Sequence, residues 1–310
     1  MVKQMIIKIR VTTLILFFLL INLCIKAQNF INVFNGRLYY IPVNSINNSD
    51  EDVSFSEHRL ELALPYVFDN ENIIGLKAQY KRFSLKSDDP LLKSIELNTL
   101  KIPLFAYFKW GSSKWSSYID INPKLNSDFK YISGRHFQIG GMLLMFKERK
   151  ENFFWQFGLI YNQDTYGPFV MPLFGLDWTI SGKSYFAALL PAYLIFEQRV
   201  GKRIYTGIEV ELSGETFRLG ASEYENSFIS QLGKNKLTFL TEPHLFLDVY
   251  VTKNVVIYLK PGMRLFHKYE HYSEDDELIE DSEYIQGELK NSFYTEFGLA
   301  LRFRYDEPGM

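Results

Sequence analysis

Residues 293–303 read Phe-Tyr-Thr-Glu-Phe-Gly-Leu-Ala-Leu-Arg-Phe, and taken alternately they fall into two chemically different sets. Phe293, Thr295, Phe297, Leu299, Leu301 and Phe303 make one set; Tyr294, Glu296, Gly298, Ala300 and Arg302 make the other. A period of two is the period of a β-strand, whose successive side chains leave opposite faces of the sheet. The first face is almost wholly apolar and has an aromatic residue at each end. A tilted strand needs roughly 9–11 residues to cross a bilayer, and aromatic side chains mark its two interfaces. The stretch is therefore predicted to be a membrane-spanning strand, with lipid on one side and a polar lumen on the other.

Working outward from this strand, the same alternation recurs. It is clear at 59–64, where Leu60, Leu62 and Leu64 oppose Arg59 and Glu61, and at 74–81, where Ile74, Leu76 and Ala78 oppose Lys77 and Lys81. Residues 100–110 and 115–121 form a hairpin about Gly111-Ser112-Ser113-Lys114, flanked by Trp110 and Trp115, with Ile119 and Ile121 opposing Asp120. Strands follow at 137–146, 153–161, 169–178 and 185–196. Several of these are apolar on both faces, as at Met142-Leu143-Leu144-Met145-Phe146, so the lumen there must be packed or covered. In the last third, 204–212 sets Glu209 and Glu211 against Ile208 and Val210. Residues 244–251 set His244 and Asp248 against Leu245, Leu247 and Val249, and 255–265 sets Lys260 and Arg264 against Ile257, Leu259 and Leu265. Residues 30–41 alternate poorly, and 43–56 read as a polar loop. Short turns alternate with longer connections, the longest at 221–236 and 267–291, which is the rhythm of an outer-membrane barrel. The expected fold is all-β, a transmembrane antiparallel barrel of about twelve strands, with ten to fourteen accepted.

Composition points the same way. Aromatic residues make up 16% of the chain, yet after residue 27 no apolar run is long enough for a membrane helix. A soluble sandwich would also alternate, but its strands usually run to five or six residues. If the strands span lipid, closure is obligatory, because an open edge would leave unpaired amides costing several kcal/mol each.

Residues 1–27 carry Lys3, Lys8 and Arg10, an apolar run from Val11 to Leu23, and then Lys26-Ala27. That order describes a secretory signal peptide cleaved after Ala27, leaving a barrel over 28–310. Cys24, the only cysteine, raises a lipoprotein alternative, but Leu23 is bulky for a lipobox. With the signal removed, four basic residues are lost and the net charge of −2 becomes −6. That balance opposes nucleic-acid binding, which needs basic patches.

Three features together resemble a family of uncharacterised outer-membrane barrels from Bacteroides- and Flavobacterium-type bacteria. They are the signal ending in Lys-Ala-Gln, the segment Arg59-Leu60-Glu61-Leu62-Ala63-Leu64-Pro65, and the final strand. The final strand is also similar to the C-terminal assembly signal of bacterial barrels: polar, any, Gly, any, any, apolar, any, apolar. Glu296, Gly298, Leu301 and Phe303 fill those places. The resemblance implies location, fold, and contact with outer-membrane lipid, lipopolysaccharide and the barrel-assembly machinery. It implies no activity.

With the apolar sets assigned to lipid, Arg59, Glu61, Lys77, Lys81, Asp120, Glu209, Glu211, His244, Asp248, Lys260, Arg264, Glu296 and Arg302 line the lumen. The leading expectation is a structural or interaction role with a packed polar interior, and the alternative is a channel for small or hydrophobic solutes. A lipid hydrolase is the remote third reading. His271-Tyr272-Ser273 has the His-any-Ser spacing of an outer-membrane phospholipase, without the Asn-Gly that follows it there. No histidines and carboxylates fall at a zinc spacing, and no cofactor is expected. The acidic run containing Asp275, Asp276, Glu277, Glu280 and Asp281 reads as a solvated loop; its sharper reading is a Ca²⁺ or Mg²⁺ site.

Overall fold

A computed structural model describes residues 30–45, 52–68, 71–89, 93–165, 167–220, 227–231, 240–266, 268–280 and 284–304. The expected signal peptide at 1–27 lies outside them. The described chain is one antiparallel barrel whose wall has fourteen strands. In chain order the wall begins with β1 (Phe30–Ser45), β2 (Asp52–Val67) and β3 (Ile73–Ser87). Next come β4 (Ile95–Lys101) and β5 (Leu104–Lys109), two halves of a single wall strand, since both pair with β3 and with β6 (Trp115–Ser127). The wall continues through β7 (Phe137–Lys150), β8 (Phe153–Asp164), β9 (Gly167–Ser181), β10 (Ser184–Leu190), β11 (Tyr193–Arg199) and β12 (Ile204–Ser213). The chain then turns inward as β13 (Thr216–Arg218) and β14 (Phe228–Ser230). It rejoins the wall at β15 (Leu240–Tyr250) and β16 (Val255–Arg264), makes β17 (Lys268–Tyr272) and β18 (Gly287–Glu288), and closes with β19 (Ser292–Arg304). β12 pairs with β15, β16 with β19, and β19 with β1.

The final strand behaves as its alternation predicts. Tyr294, Glu296, Ala300 and Arg302 are buried in the lumen, while Phe293, Phe297 and Leu299 are exposed on the outer surface. The outer faces of β2 and β15 match it, with Leu60, Leu62 and Leu64, and Leu245, Leu247 and Val249. A closed wall with a continuous apolar belt is a lipid-facing surface, so the chain is a multi-pass outer-membrane barrel. Gly298 sits where it does because a Cβ there would fall inside the Tyr258 ring on the neighbouring strand. That ring is held in place by a 2.7 Å hydrogen bond from its hydroxyl to Asn35 Oδ1 on β1. Three strands are thus tied together over one missing side chain.

Two expectations change. The stretch 185–196 is not one strand: the chain reverses at Leu190-Pro191-Ala192, with Ala192 N donating to Leu189 O at 2.7 Å, giving β10 and β11. Proline cannot extend a ladder that needs its N–H, and this reversal raises the wall above the expected twelve strands. The expected loop at 43–56 is also shorter than predicted. β1 and β2 run to Ser45 and from Asp52, with Ile41 opposite Phe55. Here the wall rises above the apolar belt. Outward positions such as His58 and Arg82, and Glu96 bonded to Arg82 at 2.9 Å, meet water and need not be apolar.

The connections at the end carrying Phe30 and Arg304 are all short, and those at the other end hold the inner strands. Phe303→Ala is expected to reduce insertion, and Gly298→Ala to loosen the β16–β19–β1 seam by displacing Tyr258. Heat-modifiable migration on gels checks both, and wild-type migration of both variants would contradict the assignment.

Candidate functional site: the lumen

All thirteen sequence-predicted lumen residues face inward, and the structure joins most of them into charge networks. At the end nearest the termini, Arg302 pairs with Asp248 and donates to Asn32 Oδ1 at 2.8 Å. Beside it, Arg304 grips Glu197 with two bonds of 2.7 and 2.6 Å and lies 3.7 Å from the centre of the Tyr205 ring. Farther up, Arg37 reaches both Glu61 and Glu296 at 3.5 Å. Glu209 accepts from Lys260 at 2.8 Å and meets His244 Nε2 at 2.9 Å, while His244 Nδ1 meets the Tyr294 hydroxyl at 2.9 Å. Arg264 donates to Glu242 at 2.8 Å, and the Tyr39 hydroxyl donates to the same carboxylate oxygen at 3.0 Å. Arg59 pairs with Glu57 at 2.7 Å.

These ties lie mostly on the wall made by β1, β2, β11, β12, β15, β16 and β19. The facing wall is different. Phe105, Tyr107, Leu144, Phe146, Phe154, Leu173 and Leu189 pack as an apolar cluster, with Met142, Ile160, Met171 and Tyr193 against it. This is what the doubly apolar strands at 142–146 and 185–196 required. Between the two walls lies a cavity of about 480 Å³, bounded by Arg37, Glu209, Glu211, Lys260, Phe105 and Leu144 among others. A second, of about 420 Å³, adjoins it, and Lys77 and Asp120 line both.

The outer mouth is closed by the chain itself. Immediately after β12, Gly214 and Glu215 turn across the lumen to strands nearly opposite. The Glu215 carboxylate meets Lys81 on β3 and, at 2.8 Å, Lys101 on β4. Thr216 follows, donating to Asp164 on β8 at 2.9 Å, while its carbonyl accepts from Asn126 on β6 at 3.1 Å. Phe217 and Leu219 then enter a buried cluster with Phe55, Phe83, Leu85, Ile95, Leu97, Tyr269 and Ile285. β14 pairs with β17, joining the two long outer connections into a plug above this crossbar.

Several of these groups escape sequence reading. Arg37 sits on a strand whose alternation is broken by a register shift between Asn32 and Phe34. Glu215 lies past the end of an alternating strand, Glu197 lies just past the stretch 185–196 read as a strand, and Arg304 ends β19. The usable signal was the Phe217/Leu219 alternation directly after Gly214-Glu215. His271 is buried in the plug, edge-on to Tyr284 at 5.1 Å, and Ser273 Oγ accepts from Glu277 N at 3.2 Å in a turn. Neither lies on the lipid-facing wall. Asp275, Asp276, Glu277 and Glu280 are exposed, and Asp281 lies outside the described residues. Among the described residues, no three histidines, cysteines or carboxylates come together as a metal site.

Burial pushes the Glu215 carboxyl upward, but Lys101, Lys81 and Lys124 outweigh it and hold the group well below its ordinary value of 4.5. A depressed acid stabilises above the unfolded value and loses that contribution only as pH falls through the folded one. The lock is therefore expected to survive acidification to pH 4.5. Hydrogen exchange of the 216–219 amides, corrected for intrinsic rates, should be unchanged between neutral pH and that value. Opening with a midpoint near 4.5 would contradict the assignment.

An outer-membrane channel of Pseudomonas putida is similar at 9% identity and a TM-score of 0.46, over 88% of this chain and 96% of that one. A deletion mutant of the monoaromatic hydrocarbon channel TodX is similar at 8% identity and a TM-score of 0.47, over 87% and 89%. The outer-membrane phospholipase A of Escherichia coli is similar at 13% identity and a TM-score of 0.36, over 86% and 89%. No curated protein matches the chain. The family model described as a domain of unknown function, DUF6268, matches residues 45–302, and the chain belongs to that family.

Proposed function

We propose that this barrel is a gated conduit for small amphipathic solutes. The observation that supports this reading is the two-sided lumen. A wall of ion pairs faces a wall of packed aliphatic and aromatic side chains, and about 480 Å³ of space lies between them. A sealed structural barrel would fill its interior with side chains along its whole length, as barrels of about eight strands do. Instead, the filling is concentrated in the outer plug, and the space beneath is lined on opposite sides by the two chemistries that an amphipathic solute presents. Pockets of roughly 300–1,000 Å³ suit small molecules.

The gate in this reading is the crossbar 214–219. Its foot is an ion-pair lock between Glu215 and Lys81 and Lys101, which can part without tearing the wall. The competing reading, a sealed barrel with a structural or interaction role, keeps the same contacts and never opens. Contact with lipopolysaccharide and with the assembly machinery belongs equally to both.

Reversing one charge separates them. Glu215→Lys would set a fourth ammonium among Lys81, Lys101 and Lys124. Like charges about 4 Å apart repel by about 4 kcal/mol at an effective dielectric constant near 20, enough to free the crossbar. In planar bilayers the wild type is expected to open rarely and the variant to carry sustained current. Silence from both, with normal heat-modifiable migration, would favour the sealed barrel.

A further inference from the structure

The wall is interrupted between β9 and β12. β10 and β11 have seven residues each, while β9 beside them has 15 and β12 has 10. β10 pairs with β9 only from Phe174 to Ser181. Along 167–173, β9 keeps its partner β8 on one edge, and no described strand pairs with the other. Across the gap, β12 meets the β10–β11 hairpin for the last time where Leu212 N donates to Ala192 O at 2.9 Å. The result is a notch about 20 Å deep along β9, at 3.2–3.4 Å per residue.

The sequence is adapted to this bare edge. Pro168 and Pro172 stand four residues apart, so their nitrogens point to the same edge of β9. The register with β8 passes both without a shift, pairing Gln163 with Pro168 and Leu159 with Pro172. Proline in a sheet belongs where its missing N–H faces no partner, which assigns both to the notch. Two donors that would otherwise be orphaned are thereby removed from an edge lying in the membrane. Along most of its depth the outward side chains are apolar, with Leu159 and Tyr161 on β8, Val170 58% exposed and Leu190 56% exposed, and Gln163 marks its outer tip, so the notch opens largely to lipid.

Behind it lies the second cavity, of about 420 Å³, lined by inward Phe169 and Met171 of β9 and by Pro191, Ala192 and Leu212 at the rims. Its inner end is polar, at Lys101, Lys124 and Glu215. Irregular backbone at membrane depth is tolerated where it borders such a cavity. We infer that the notch between β9 and β12 is a lateral portal through which a small amphiphile, with an apolar body and a compact polar end, passes between the bilayer and the lumen. This rests on the conduit reading and gives it a direction: through the wall, beneath a crossbar that closes the outer mouth.

The test uses the full mature chain in phosphatidylcholine vesicles containing a photoactivatable diazirine analogue of palmitic acid, with adducts mapped by mass spectrometry. Outward Phe174 and Leu190 report ordinary lipid contact and correct insertion. Inward Phe169 and Met171 are expected to be labelled as well, and far above inward Phe246 on the opposite wall. Ala192→Trp, which fills the mouth, should cut labelling of Phe169 and Met171 several-fold while Phe174 is unchanged. Leu212→Trp repeats the test from the other rim should the first variant fail to insert. Labelling of Phe169 and Met171 no stronger than of Phe246, or insensitive to both tryptophans, would overturn the portal. Labelling reads entry from lipid and not passage, so the portal stands if entry is seen without current. Current without entry removes the portal and leaves the conduit.

Discussion

Every backbone amide in the hydrocarbon layer must find its partner within the protein, because each one left unpaired costs several kcal/mol. For a sheet this leaves closure, and here closure is the ladder between the first and last described strands, Phe30 opposite Arg304 through Tyr40 opposite Thr295. The other features follow from it. Once the ring is closed, one face of every strand meets lipid and the other meets a confined lumen, so the outward sets become aliphatic and aromatic. Ionisable groups are driven inward, where they must pair because they are largely withdrawn from water.

The lumen's two chemistries are a consequence of where those charges fall. β1, β15, β16 and β19 bring Arg37, His244, Asp248, Lys260, Arg264, Glu296 and Arg302 together on one side, and the ties among them cross from strand to strand. β5 to β10 bring fewer, chiefly Asp120, Lys124, Asp164 and Asp177, and pack aromatic and aliphatic groups between them. The crossbar joins the halves, its carboxylate on β3 and β4 and its threonine on β6 and β8. The notch is a departure from full pairing between neighbouring wall strands, and it carries the two prolines that reduce its cost.

How much of this was legible in the sequence depended on whether the two faces of a strand meet different surroundings. Residues 293–303 do so along their whole length, and the face taken by each side chain was readable. Residues 43–56 do not: above the apolar belt the outward face meets water and the inward face meets the plug, so polar residues there looked like a loop. Residues 185–196 fail for the opposite reason. Both faces are apolar, no period of two is visible, and only Pro191 marks the reversal. Three-residue strands such as β13 and β14 are too short for a period to stand out, which is why Glu215, the residue that locks the crossbar, was missed while the thirteen strand-borne lumen groups were not.

The account stands or falls on closure in this register. Leu38 on β1 lies directly opposite Phe297 on β19, and opposed Cβ atoms in an antiparallel pair are about 4.5–5.5 Å apart, within reach of a disulfide. The most direct measurement is therefore oxidation of a Leu38→Cys/Phe297→Cys double variant in outer-membrane vesicles, with Cys24 replaced by serine. The account predicts an intramolecular disulfide in this pair and little in the shifted pair Leu38→Cys/Leu299→Cys. Equal cross-linking of both pairs, or of neither, would contradict it.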